Sequence, residues 1–285
     1  MSAVALGLLL LAAGLHAGWN VLVKRAADRQ ATLWWALVIA GAVLIPTLAL
    51  AWPPPWEAVA FSLASSIFEA LYFLALVAAY GVGDLSLVYP VARGSAPLLI
   101  ALGAVLLLGE RPSLGGWVGI CLAVSGVVLV SAPGQAAVPA PGRNRPGLAV
   151  LLALATGLCI SAYSLINKLG LSYLFAPAFT CLFHLGTALL LAPYLVRTRG
   201  RKLLEPWRRE PWKTALAGIM VGCASTLVLA ALAIERASYV GAVREVSVIL
   251  GALAGWLLLG EPLGQRRTVA AAVMFAGLAL IASLG

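Results

Sequence analysis

Residues 93–110 read RGSAPLLIALGAVLLLGE, and residues 244–261 read REVSVILGALAGWLLLGE. Aligned without a gap, half of the eighteen positions are identical, including the opening arginine and the closing LLLGE. Leucine and alanine runs imitate homology by composition, so the weight falls on Arg93 with Arg244 and on Gly109–Glu110 with Gly260–Glu261. A repeat of this kind means that one structural unit is written twice. The match extends backwards. AAGLHAGWNVLVK ends at Lys24 and ATGLCISAYSLINK ends at Lys168, each with a polar and aromatic cluster, an apolar turn and a lysine. Gly41 and Pro46 likewise have counterparts in Gly186 and Pro193. Between the copies lies APGQAAVPAPGRNRP, whose Pro/Gly composition is that of a linker. The expected organisation is a first five-helix repeat at 1–131, a linker at 132–146 and a second five-helix repeat at 147–285.

Composition names the solvent. Of 285 residues, 62% are hydrophobic and 10% are charged, with a mean hydropathy of +1.02. Soluble domains carry roughly 25% charged residues, so this chain suits lipid rather than water. A crossing helix needs about 20 apolar residues. Ten such stretches are readable, at 4–23, 32–51, 58–79, 87–108, 117–131, 147–166, 178–196, 215–234, 239–259 and 269–284. The first positive residue, Lys24, follows the first stretch, so 4–23 is expected to be a retained helix rather than a signal peptide. The fold class is therefore an all-α membrane protein of ten transmembrane helices. Five spans per copy is an odd number, so the second copy enters the membrane from the opposite side. The result is two inverted five-helix repeats around a central cavity, as in secondary transporters, whose substrate site lies near the midplane between the repeats.

The net charge of +9 would suggest nucleic acid in a soluble protein. Here the basic residues sit in connectors, where they set orientation and meet lipid headgroups, and no nucleic acid partner is expected. Lys24, Arg25, Arg29, Arg143, Arg145, Arg197, Arg199, Arg201, Lys202, Arg208, Arg209, Lys213, Arg266 and Arg267 fall on one side, against Arg111, Lys168 and Arg236 on the other. Taken literally, this bias puts both termini outside. Cys121, Cys159, Cys181 and Cys223 fall in four different spans, and neither they nor His16 and His184 have metal-ligand spacing. No nucleotide loop, GxSxG elbow, HExxH or pair of catalytic carboxylates is present, so neither an enzyme nor an ATP-driven pump is expected, and no cofactor.

Ionisable residues inside a span mark function by default, because each costs roughly 2.5–3.5 kcal/mol to insert. Glu69 shares a helical stripe with Ser62, Ser65, Ser66 and Tyr72. The stripe reads either as a hydrogen-bonded helix seam or as a cavity wall with a proton-carrying or amine-binding carboxylate. Arg93 and Arg244 occupy matching places in spans 4 and 9, and Glu245 has Gly94 as its counterpart. Each arginine either snorkels or pairs with Glu69 or Glu245, or it binds substrate carboxylate or phosphate. His16, Asn20 and Lys24 recur at four-residue spacing beside Trp19, and Ser161, Ser164 and Lys168 lie near Tyr163 and Asn167. Both clusters are placed to line the cleft. His16 offers proton coupling, whereas His184 has no polar neighbour in its own span and reads as structural. Glu110 and Glu261 read as helix-end features, and Gly115 with Gly119 as a helix-packing motif.

Ten spans in two inverted repeats, with Leu106–Glu110, Leu257–Glu261 and the YFLAL run of Tyr72–Leu76, resemble the EamA-type transporters of the drug/metabolite transporter superfamily. The resemblance implies a secondary transporter. Its relatives export amino acids and other metabolites or move organic phosphates, nucleotide sugars and lipid-linked sugars. It also implies a central site built by spans 1–4 and 6–9. Carried over, that site comprises His16, Trp19, Asn20, Glu69, Tyr72, Arg93, Ser161, Tyr163, Ser164, Arg244 and Glu245. Export of small polar metabolites is the leading expectation, with an organic-anion carrier or a lipid-linked sugar flippase subunit as alternatives. The expected partners are a small-molecule substrate and membrane lipid, the expected assembly is a monomer or homodimer, and the expected location is a bacterial inner membrane.

Overall fold

The computed structural model describes residues 1–83, 85–131, 145–250, 253 and 265–284, and the described residues form helices and connectors. In chain order the helices are α1 (Ala3–Arg25), α2 (Arg29–Leu48), α3 (Trp56–Val82), α4 (Leu85–Leu108), α5 (Leu114–Ser131), α6 (Pro146–Gly170), α7 (Ala176–Arg199), α8 (Glu205–Arg209), α9 (Pro211–Ile234), α10 (Ala237–Val243) and α11 (Gln265–Leu284). Their starts are set by local chemistry. The Ser2 hydroxyl accepts from the Ala5 N–H, and the Asp28 carboxylate accepts from the N–H groups of Gln30 and Ala31. Pro146 and Pro211 open α6 and α9, where the missing N–H is harmless. Gly200 ends α7 at φ 51° and Gly109 follows α4 at φ 67°, both in the left-handed region that glycine tolerates.

Seven of these helices are long and apolar enough to cross a membrane, and two shorter apolar helices cover 114–129 and 268–284. Residues 254–264, the end of the expected ninth span with its LLLGE, lie outside the described residues, as do 132–144 of the expected linker. The outer surface is apolar as lipid requires: Leu106, Leu114 and Leu189 are each at least 74% exposed.

The packing carries the imprint of the repeat. Where α1 packs on α9, α6 packs on α3; where α2 packs on α9, α7 packs on α3. The pairs α2–α7 and α5–α11 exchange with themselves. That is the pattern of a pseudo-two-fold axis between the halves. Direction follows from the ends. The Ser2 N–H, at the start of α1, donates to Glu235 Oε2 at 2.7 Å, and Lys168 Nζ, at the end of α6, donates to the Glu235 carbonyl at 2.8 Å. The opposite end of α1 meets the end of α7, where Arg199 pairs with Asp28 at 3.3 Å. So α1 and α6 run in opposite senses.

Small residues bring the helices close. A Cβ on Gly119 would stand 2.7 Å from the Gly277 carbonyl, and one on Gly115 2.6 Å from Leu284 Cβ. The GxxxG spacing of α5 thus serves the α5–α11 contact.

Candidate functional site

The second-repeat counterpart of α4 is interrupted. α10 ends at Val243, Arg244 and Glu245 form a turn, and helix resumes over 246–250. Inside the turn the backbone tightens to three-residue bonds, from the Glu245 N–H to Ala242 at 3.2 Å and from the Val248 N–H to Glu245 at 2.9 Å. The turn sends the two side chains apart. Glu245, 1% exposed, pairs with Arg93 of α4, Oε2 to Nη2 at 3.1 Å. Arg244 stands beside the phenol of Tyr163 on α6.

The start of α10 is fixed by Glu110. Its carboxylate accepts from the Ala237 N–H at 2.6 Å, the Ser238 N–H at 3.2 Å and the Ser238 hydroxyl at 2.7 Å. Gly109 supplies the turn that aims it, and the Glu110 N–H closes back on the Ala104 carbonyl at 3.0 Å. Gly109–Glu110 is thus a capping device between halves.

Across the helices, Glu69 of α3 meets α7. Thr187 Oγ1 donates to Glu69 Oε2 at 2.7 Å, and His184 Nδ1 lies 3.8 Å from the same oxygen. Tyr72 and Tyr163 contact edge to face at 6.3 Å, and Tyr163 leads on to Phe183, which stacks on His184. His16 lies within electrostatic reach of Arg93 and Arg244, and its ring meets that of Trp19 at 4.7 Å. His16, Tyr72 and Tyr163 are enclosed by protein, yet all keep accessible surface.

The structure therefore gathers His16, Glu69, Tyr72, Arg93, Tyr163, Arg244 and Glu245, with Trp19 against His16. Trp19 also packs on the α2 and α9 residues Ala36, Ala40, Ala217 and Val221. The remaining residues bond locally or are buried. The Asn20 amide donates to the His16 carbonyl at 2.7 Å, Ser164 Oγ donates to the Ile160 carbonyl at 2.7 Å, and Ser161 is buried on α6. Lys168 is not a cleft residue: it donates to the carbonyls of Leu232 and Glu235 at the end of α9. The serine stripe of α3 is a seam, with Ser65 Oγ on the Tyr163 carbonyl and Ser66 Oγ on that of Phe183. His184, read as lacking polar company, has Glu69 and is the residue the sequence missed. Its partner arrives from another helix, and nothing along α7 carries a sign of it.

Among the described residues no cluster of three or more His, Cys, Asp or Glu side chains could hold a metal. A cavity of about 330 Å³ opens at the basic end, lined by Arg25, Asp28, Glu205, Arg209, Glu210 and Lys213 among others. Of its charges, Lys213 pairs with Glu210 and Asp28 with Arg199.

Comparison with known proteins follows this geometry. The profile of the EamA-like transporter family matches residues 3–132 and 147–283. The uncharacterized protein PA1977 of Pseudomonas aeruginosa is 32% identical over 179 residues, 62% of this chain. The match spans 58% of that relative's length. A solved crystal structure superposes with a TM-score of 0.77 at 18% identity, over 100% of this chain and 98% of its own, which shows a shared fold.

Proposed function

Because this chain belongs to the EamA-like transporter family of the drug/metabolite transporter superfamily, and is a multi-pass membrane transporter of small molecules, we propose that it exports amino acids or similar small polar metabolites by alternating access. The observation that carries this reading is the charge balance of the central group: Arg93 and Arg244 against Glu69 and Glu245, contributed by both halves. A site with two guanidinium groups and no carboxylate would favour an anion. A balanced one suits a zwitterion, whose carboxylate matches the planar donors of arginine.

The turn at Arg244–Glu245 supports the mechanism. Interrupted helices recur where transporters bind substrate, because they free backbone groups at the midplane. Ten spans in two inverted repeats give inward-open and outward-open forms of similar energy, and the site residues then serve both. The basic end, with Arg25, Arg199, Arg208 and Arg209, faces the cytoplasm of a bacterial inner membrane, and both termini face outward. The carrier works as a monomer or homodimer, driven by an ion gradient.

The test is uptake into proteoliposomes of a labelled amino-acid panel and a labelled organic-anion panel, with and without a pH gradient. Saturable uptake of an amino acid, lost in Arg244→Gln while the protein stays folded, is the expected result. Uptake confined to organic anions, or unaffected by Arg244→Gln and Arg93→Gln, overturns the proposal.

A further inference from the structure

Glu69 sits in surroundings that satisfy it both with and without a proton. Thr187 Oγ1 lies 2.7 Å from Glu69 Oε2 and 2.9 Å from the Phe183 carbonyl. A hydroxyl has one proton and donates to one of these at a time. With Glu69 ionised, the threonine donates to the carboxylate, and the Phe183 carbonyl keeps Ser66 Oγ at 2.8 Å, a hydroxyl it shares with the Ser62 carbonyl at 2.8 Å. With Glu69 protonated, its O–H donates to Thr187 Oγ1, and the threonine proton returns to the Phe183 carbonyl. Neither state strands the Glu69 carboxyl or the Thr187 hydroxyl, and an unmet buried group is the usual penalty for changing protonation inside a protein.

His184 completes the arrangement. It is 2% exposed, neither ring nitrogen has a hydrogen-bond partner, and Nδ1 lies 3.8 Å from Glu69 Oε2. A buried imidazole with unmet hydrogen-bonding capacity facing a carboxylate is a second place for one proton. The other charged or titratable groups around Glu69 are Tyr72 on its own helix, Tyr163 from α6 and Arg93 from α4, with Arg244 behind Tyr163 and Glu245 holding Arg93. Glu69 keeps 16% of its side chain accessible.

We propose that Glu69 is the reversible proton-binding group of this transporter, with Thr187 serving both of its states and His184 taking the same proton as its partner. The step is balanced: the Oε2–H bond breaks, the Nδ1–H bond forms, and a carboxylate faces an imidazolium. The assignment names the coupling ion of the export reading and rests on it for its role, while the proton site itself is read independently of substrate.

The chain has two histidines, so in ¹⁵N-histidine-labelled protein in lipid nanodiscs the ring signal missing from His184→Gln belongs to His184. Its shifts change with pH between about 5 and 9, and Glu69→Gln displaces the midpoint by about one pH unit or more. Thr187→Val also displaces it, and Thr187→Ser restores it. A signal insensitive to pH, or a midpoint unmoved by Glu69→Gln, overturns the proposal. In proteoliposomes given the labelled amino-acid panel, the ratio of uptake with a pH gradient to uptake without one falls to about one in Glu69→Gln. A ratio kept at the wild-type value overturns the coupling role. If the wild-type protein moves no amino acid, the export reading fails, and the titration still decides the proton site.

Discussion

Arg93 and Arg244 occupy the same place in two copies of one sequence, yet the molecule uses them differently. α4 runs unbroken through Arg93, whereas the second copy stops at Val243 and turns at Arg244–Glu245. The turn swings Glu245 across to neutralise Arg93 and leaves Arg244 on the neutral phenol of Tyr163. In the first copy Gly94 stands where Glu245 would be, and a Cβ there would meet Val128 of α5 at 3.2 Å. A duplicated unit thus supplies two guanidinium groups by symmetry and then breaks that symmetry: one arginine is locked to the opposite half, the other stands beside Tyr163 of its own half.

The largest effect should come from unlocking Arg93. Glu245→Ala leaves a guanidinium inside the protein without its carboxylate, which costs about 3–5 kcal/mol when one partner of a buried pair is removed. Thermal unfolding in detergent, followed by the fluorescence of the nine tryptophans, should show this loss. Replacing both partners together, Arg93→Met with Glu245→Leu, should recover most of the stability and none of the transport. Equal stability of Glu245→Ala and wild type would mean that the two arginines are not differently held.

The next effect lies at the start of the broken segment. α10 is only seven residues long and cannot sustain itself by propagation. Glu110 holds its first N–H groups from the other half. Glu110→Ala leaves those donors unpaired, a cost of about 1–3 kcal/mol. Hydrogen exchange should rise across 237–243 and leave the middle of α4 unchanged. Uniform exchange through both segments would sink the idea that the second copy depends on a cap.

How far the sequence carried this reading can be judged from the same residues. The repeat, the Arg pair and the helix-end place of Glu110 are legible because they are local: identical letters, an apolar run, a glycine followed by a charge. The family model matches residues 3–132 and 147–283. The turn at Arg244 is silent, since VREV contains neither proline nor glycine and tertiary pairing overrides its helical propensity. The Glu69–His184 contact is silent too, because α3 and α7 belong to different halves and no spacing links residues 69 and 184. Serine spacing misled in another way. Ser62 and Ser164 bond to carbonyls three and four residues back in their own helices, a habit that looks the same from sequence whether the face meets a cavity or a neighbour.

Arg244→Gln separates function from stability. The group beside it is a phenol and not a carboxylate, so folding should lose only about 1 kcal/mol. Transport should fall by about tenfold or more if this guanidinium meets the substrate carboxylate. A stability loss as large as that of Glu245→Ala would instead make Arg244 a second structural lock.

Gly94→Ala is the smallest test and the most specific to the asymmetry. Alanine is favoured over glycine inside a helix by about 1 kcal/mol. The new Cβ would sit 3.2 Å from Val128 Cγ2 and 4.0 Å from Val124 Cγ1, so α5 must yield by a few tenths of an ångström. The two terms oppose each other, and the net change should stay below about 1 kcal/mol. Position 94 faces α5 rather than the site, so transport should not change. If Gly94→Ala impaired transport with stability intact, the first copy would also have to bend at Arg93 during the cycle, and the contrast between the two arginines would describe one state of the carrier rather than a fixed division of labour.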